Sequence, residues 1–171
     1  MTADVPGGLT LRRATETDHA VLEPLLLDWM GGSRALASAA ERVWFRHFSS
    51  TSVVAETPDG RIAGFVVGFV SPDRPEEAVV VALATNPNLR RRGVGRLLAA
   101  EFGRTVRAAG VRRVVVAVPP DERVAVDFLR RIGFTPTDGP GTQRLYGVSS
   151  LPGYDGEGRD RALFVRELAA G

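Results

Sequence analysis

The sequence predicts a mixed α/β fold in one domain, residues 1–171, and three features predict it. An apolar run from Ala78 to Thr85 reads as a strand. It leads through Asn86-Pro87-Asn88-Leu89-Arg90-Arg91-Arg92-Gly93 into a segment whose apolar residues Val94, Leu97, Leu98, Phe102, Val106 and Ala109 recur with a helical period. Val111 and the valine-rich run Val114 to Val118 have the continuous apolar character of a strand buried on both faces. A further helix opens at Pro119-Pro120-Asp121, keeps Val124, Ala125, Phe128, Leu129 and Ile132 on one stripe, and ends at Gly133. Strands in series joined by crossover helices imply a mixed sheet covered by helices.

The other elements follow in order. Leu9 to Arg13 alternates as a short strand. Thr15-Glu16-Thr17-Asp18 clusters capping residues and acids at a helix start. That helix places Ala20, Val21, Leu25, Leu26 and Trp29 at helical spacing until Gly31-Gly32 stops it. Ser33 caps a second helix expected to run to about His47. Ser52–Glu56 and Arg61–Val70 form a hairpin about Pro58-Asp59-Gly60. Leu145–Val148 and Ala162–Leu168 are expected as closing strands, separated by the glycine-rich stretch Pro152–Gly158.

A chain of 171 residues can bury a sizeable core as one domain. Its 22 basic and 20 acidic residues leave a net charge of +2, so no polyanionic partner is demanded globally. There is no lysine; every cationic position of that count is arginine. Eleven arginines lie between Arg90 and Arg131, against Glu101, Asp121, Glu122 and Asp127. Those arginines belong to a helix face, a strand edge and the glycine turn, so a phosphorylated small molecule explains the cluster more economically than nucleic acid. The absence of cysteine excludes a disulfide framework, a thiolate nucleophile and a cysteine metal site. With only His19 and His47, no metal centre is expected. Met1–Gly8 lacks the pattern of a secretory leader, and no apolar stretch approaches the ~20 residues that span a bilayer. A cytoplasmic protein without membrane contact is expected.

The richest chemistry lies in the glycine turn. A strand that bends through glycines into a helix leaves amide groups unpaired at the helix start, with a partial positive charge behind them. Gly93 and Gly95 let a ligand approach that backbone, and Arg90, Arg91, Arg92 and Arg96 surround it with cationic forks. Phosphate suits such a turn. The P-loop is excluded because it needs a lysine, and the dinucleotide fingerprint because its third glycine is replaced by Leu98.

With Arg90, Gly93 and Gly95 in the pattern Arg-x-x-Gly-x-Gly after a strand, the chain resembles the GNAT family of N-acetyltransferases. A second family block, Asn-x-x-Ala-x-x-Phe-Tyr-x-x-x-Gly-Phe, is matched at Ala125, Phe128, Gly133 and Phe134, while Glu122 and Leu129 depart from it. The likeness is good over roughly 8–137, with an acyl-CoA core at about 78–137. It implies a mostly antiparallel sheet of about seven strands, flanked by about four helices, with splayed fourth and fifth strands. It implies acetyl-CoA as the cofactor, with its pantetheine arm set against the backbone of Leu83, Ala84 and Thr85. The pyrophosphate would lie on the backbone from Arg91 through Val94 to Arg96, and Phe128 would pack on the arm or belong to the core. Arg131 would either meet the adenosine 3′-phosphate or remain a surface residue. The fold often dimerises, so a homodimer is one expectation.

The same resemblance exposes two losses. The tyrosine that commonly protonates the departing thiolate is Leu129 here, and Val81 and Ala82 stand where a basic glutamate is frequent. Three options remain: a different acid and base, chemistry resting on positioning, or a degenerate acyl-CoA-binding module that senses or scaffolds. Tyr154, in Gly153-Tyr154-Asp155-Gly156, is either a substitute acid or a loop anchor. Trp29 with Gly31-Gly32, and Tyr154 to Arg161, are similar to a group of GNATs without an established substrate, which places Trp29 at the acceptor. The expected reaction is transfer of acetyl to a primary amine of a small molecule or peptide.

Overall fold

The computed structural model describes residues 8–169. Nine strands form among the described residues: β1 (Thr10–Arg13), β2 (Val53–Glu56), β3 (Ile62–Val70), β4 (Glu77–Thr85), β5 (Arg113–Val118), β6 (Thr135–Pro136), β7 (Gln143–Leu145), β8 (Val148–Ser150) and β9 (Ala162–Glu167). Seven of them make one sheet in the order β1-β2-β3-β4-β5-β9-β6, while β7 and β8 form a separate hairpin. Within the sheet only β4 and β5 run parallel. This is the mixed, mostly antiparallel seven-stranded sheet that the sequence predicts.

Both faces of the sheet are covered, and the alternation of side chains sorts the core in two. Val53, Ala55 and Val66 face one layer with α5 (Val94–Ala108) and α6 (Arg123–Arg131). Val54, Phe65 and Val67 face the other, built by α1 (Glu16–Leu22), α2 (Leu26–Trp29), α3 (Arg34–Ala37) and α4 (Arg42–His47). Helix α5 presents Leu98, Phe102 and Val106 four residues apart, and each is at most 1% exposed. Burying three such side chains contributes roughly 5–9 kcal/mol before entropy is counted.

Three expectations are corrected. The first helix is interrupted by a 3-10 turn at Glu23–Leu25, where Pro24 has no N–H to continue an α-helical ladder. The inward stripe is therefore Asp18, Leu22, Leu26 and Trp29, whereas Val21 and Leu25 are 57% and 40% exposed. The second helix starts as expected, with Ser33 Oγ accepting from the Leu36 amide, but breaks at 38–41 into α3 and α4. The break lets Ala40 and Phe45 both reach the core. Residues 145–148, expected as a strand, are the bend of the β7–β8 hairpin. Tyr146 and Gly147 both take positive φ, 49° and 82°, the left-handed pair of a tight hairpin turn. The seventh strand of the sheet is instead β6, a two-residue edge strand whose Pro136 is tolerated because it pairs on one side alone.

At the far edge, Arg12 bridges Asp18 (2.7 and 2.8 Å) and Glu56 (2.7 Å), and the Thr15 amide also donates to Asp18. Burial opposes ionisation of Asp18, but the hydrogen bonds from Arg12 and Thr15 outweigh it and hold the carboxyl below the usual range. A depressed carboxyl contributes stability above its unfolded pKa, about 3.9, and that contribution is lost as pH falls through the folded value. Thermal melts from pH 6 to 2.5 should show a loss of stability below about pH 4 that is shallower in Asp18→Asn. Parallel curves for the two proteins would exclude Asp18 as a source of acid sensitivity.

Candidate active site

The site is created where β4 and β5 part. Their parallel ladder pairs Glu77–Val80 with Arg113–Val116 and then stops. Beyond it, Val81–Thr85 keeps β3 on one side and, among the described residues, has no strand on the other, while β5 continues to Val118 against β9. The closed end of this wedge is pinned. Glu77, 7% exposed, accepts from Arg113 Nε at 2.9 Å, and the amides of Arg112 and Arg113 both donate to the Glu76 carbonyl.

A β-bulge sets the open end. The β3–β4 register shifts between Val67 and Gly68, leaving Val81 as the extra residue. Side-chain direction flips across it: Ala78 and Val80 belong to the α5 layer, but Ala82 and Ala84 belong to the α1–α4 layer. Main-chain direction follows from parity. The Asn86 amide donates to Ala63 on β3, so Ala84 and Ala82 also turn their polar groups to β3, and Leu83 and Thr85 turn theirs into the gap. Of the three residues expected to offer backbone there, Ala84 is thus committed to Phe65. Across the gap, the Leu168 amide donates to Arg112, and the same parity aims the polar groups of Ala117 back toward β4. Ala117 was not found from sequence, because only the register assigns its direction.

At the tip of β4 the chain makes a 3-10 turn, Pro87–Leu89, and enters the arginine–glycine bend. Arg91 (φ 63°) and Gly93 (φ 85°) are both left-handed, a geometry that turns successive amides toward one concavity. The amides from Arg91 to Arg96 have no hydrogen-bond partner among the described residues, and the first turn of α5 contains no acid. A Cβ on Gly93 would meet nothing within 4 Å, so the concavity is open. A Cβ on Gly95 would lie 3.1 Å from Phe128, so the Phe128 ring rests directly on the helix start. Arg91, Arg92 and Arg96 are exposed and form no ion pair among the described residues. The Val94 side chain is buried in the core beneath the bend.

Arg90 behaves differently. Helix α2 ends in a Schellman arrangement: Gly32 donates to Leu27 (2.8 Å) and Gly31 to Asp28 (3.0 Å), with φ of 82° and 68°. This satisfies the carbonyls of Leu27 and Asp28, and Met30 N–H takes that of Leu26. The Trp29 carbonyl is left over, and Arg90 Nη2 donates to it at 2.9 Å. The Trp29 ring itself is 7% exposed, within the α1–α4 core.

Leu129 is 6% exposed and faces the α5–α6 core, so an apolar residue suits that position. Tyr154 is half exposed in the loop between β8 and β9, where Asp155 pairs with Arg161 (2.7 Å) and the Gly153 amide donates to Asp160 (2.8 Å). That loop ends at Ala162, opposite Val118, and so borders the open end of the gap. Arg131 is exposed on the last turn of α6. Among the described residues no cluster of three metal-ligating side chains forms, and no helix is long and apolar enough to cross a membrane.

A wedge between parallel strands, leading to a bare amide turn at a helix start, defines an α/β protein built to hold an extended phosphorylated ligand. The sequence model of the acetyltransferase (GNAT) family matches residues 18–134, and the chain belongs to that family. An L-2,4-diaminobutyric acid acetyltransferase of Streptomyces avermitilis is 28% identical over 138 residues, covering 76% of this chain and 75% of that protein. Its counterpart in Nocardia farcinica is 36% identical over 90 residues, 53% of this chain and 46% of the relative. The match thus spans about half the length of the Nocardia protein. Among solved structures, a diaminobutyrate acetyltransferase of Paenibacillus lautus, in complex with L-2,4-diaminobutyric acid and coenzyme A, superposes with a TM-score of 0.65 at 20% identity, covering 95% and 98% of the two chains. A GCN5-related N-acetyltransferase of Kribbella flavida gives 0.68 at 19% identity, covering 95% and 99%. At these identities the superpositions establish the shared fold.

Proposed function

We propose that this single-domain protein transfers an acetyl group from acetyl-CoA to a primary amine by direct attack in a ternary complex. The observation that carries the reading is the wedge between β4 and β5, with unpaired backbone on both walls and an open amide turn at its mouth. The residues fit the cofactor: six consecutive free amides, exposed arginines and no acid suit a diphosphate, and an unpaired strand edge suits an amide-bearing arm. Acetyl-CoA supplies a thioester, whose sulfur leaves readily near neutral pH because thiols ionise at a pKa of about 8.5.

The chain's residues then have separate tasks. Amides of Arg91 to Arg96 hold the diphosphate, assisted by the exposed guanidinium groups of Arg91, Arg92 and Arg96. Leu83, Thr85 and Ala117 hold the arm, and one gap-facing β4 amide is available to the thioester oxygen. Such a donor contributes roughly 3–4 kcal/mol where one has been removed from other enzymes. Phe128 packs on the arm beside Gly95. Leu129 cannot give a proton, so the reaction rests mainly on holding amine and thioester together, which contributes up to about 7–11 kcal/mol. Tyr154, in the loop between β8 and β9, is the candidate donor of a proton to the departing sulfur, its other role being that of a loop anchor.

The relatives support a small-molecule diamine, L-2,4-diaminobutyric acid first, as the acceptor. A peptide amine, a homodimer and a cytoplasmic location are further parts of the proposal. Thiol release from acetyl-CoA should appear when diaminobutyric acid, another amino acid, a polyamine or a peptide is added, and not without an amine. Coenzyme A binding with no thiol released on any of them would replace the enzyme by a binding module. That second reading is favoured by Leu129 in the core and by Val81 and Ala82 on the wall opposite α5.

A further inference from the structure

The first arginine of the turn is committed elsewhere. Arg91, Arg92 and Arg96 are free of ion pairs among the described residues, but Arg90 Nη2 is spent on the Trp29 carbonyl, 61 residues away in sequence. That carbonyl is the one at the end of α2 that the Gly31–Gly32 cap leaves without an amide. A cation at a helix C-terminus also meets the negative end of the helix dipole. One side chain therefore joins the phosphate turn to the end of α2.

That end of α2 lies on the face of the sheet opposite α5 and α6. Helices α5 and α6 close the other face, with Phe128 seated on Gly95 and Leu129 buried beneath. The opposite face carries α2, whose Trp29 and Met30 share a core with Ala82 and Ala84 of β4. The Gly31–Gly32 bend, exposed and left-handed at both residues, continues directly from that core.

We infer that Arg90 is a positioning residue: it ties the carboxyl end of α2 to the phosphate turn, so that filling the turn orders the wall that α2 and the Gly31–Gly32 bend present to the acceptor. The inference rests on the acetyl-CoA reading above. Arg90 acts through the Trp29 carbonyl and not on phosphate.

Hydrogen exchange on the whole chain, with and without coenzyme A, tests it in the wild type, Arg90→Ala and Arg90→Lys. Coenzyme A should slow exchange over 91–98 in all three proteins. It should slow exchange over 27–33 in the wild type, fail to do so in Arg90→Ala, and recover part of the effect in Arg90→Lys, whose ammonium can serve a single carbonyl. The dissociation constant for coenzyme A should change by less than about threefold, while KM for diaminobutyric acid rises about tenfold in Arg90→Ala, the loss of one charge-assisted hydrogen bond. The exchange data decide the matter even if another amine is the acceptor. Equal protection of 27–33 in wild type and Arg90→Ala would overturn the coupling. A coenzyme A affinity weakened tenfold or more, with 27–33 unaffected, would make Arg90 a phosphate ligand instead. No protection of 91–98 in the wild type would remove the acetyl-CoA reading itself, and the inference with it.

Discussion

Gly93→Asp is expected to abolish the thermal stabilisation that coenzyme A confers, while Gly93→Asn retains most of it. At a ligand concentration 100-fold above its dissociation constant, the wild type should gain about 2.7 kcal/mol, which for a domain of this size raises Tm by about 5–10 °C. Both substitutions enter a left-handed position (φ 85°) that Asn and Asp tolerate better than other side chains, and a Cβ there meets nothing within 4 Å. The apo proteins should therefore melt within about 1 °C of each other. The difference between them is charge. A carboxylate about 4 Å from one phosphate charge costs about 4 kcal/mol at the effective dielectric of a protein surface. That exceeds the whole binding contribution at this concentration, so the Asp variant should show no shift. Gly95→Asp is a poorer choice, since its Cβ would press on Phe128 at 3.1 Å and confuse binding with folding. Scanning calorimetry with and without coenzyme A reads the result. Equal shifts in the Asp and Asn variants would place the diphosphate away from this turn.

The turn was legible because its chemistry is local. Arg90, Gly93 and Gly95 stand within six residues, between a run that reads as a strand and a period that reads as a helix, and nothing distant is needed to interpret them. The same holds for α5 and β5, whose apolar patterns agree with their final burial. Features that depend on pairing were not legible. The Val81 bulge exists only in the register of β4 against β3, and it decides that the Ala82 side chain faces the α1–α4 layer and that the main chain of Leu83 faces the gap. Ala117 is one alanine in a valine-rich strand until its parity with β9 is known. The commitment of Arg90 to Trp29 requires two segments 61 residues apart to meet. In the first helix, Pro24 announces an interruption, yet the phase of the buried stripe after it cannot be counted from spacing alone. At residues 145–148 the apolar Leu145, Tyr146 and Val148 read as a strand, although Gly after a residue able to take positive φ is a hairpin pattern.

Gly68→Ala is expected to destabilise the protein by about 3 kcal/mol, at the upper end of the usual cost of overpacking, and to lower Tm by about 6–12 °C. A Cβ at this position would lie 2.3 Å from the Val79 carbonyl oxygen and 2.7–2.8 Å from two ring atoms of Phe102. Neither neighbour can yield cheaply: one is backbone in β4, and the other is a rigid ring that is 1% exposed. Glycine is therefore required here by close approach, not by an unusual φ. Gly68 also sits where the β3–β4 register shifts, so a clash that pushes β4 away acts on the bulge that opens the wedge. Coenzyme A affinity should fall along with stability in this variant, a joint effect that a simple core defect far from the wedge would lack. Gly139→Ala provides the control, because nothing lies within 4 Å of its Cβ, and it should melt within about 0.5 kcal/mol of the wild type. Adding Phe102→Leu to Gly68→Ala removes the ring clash and leaves the carbonyl clash. It should restore little of the lost affinity if the displacement of β4, and not the ring, is what disturbs the wedge. A Gly68→Ala protein that melts with the wild type would show that β4 can shift freely, and the bulge would then no longer account for the geometry of the open end.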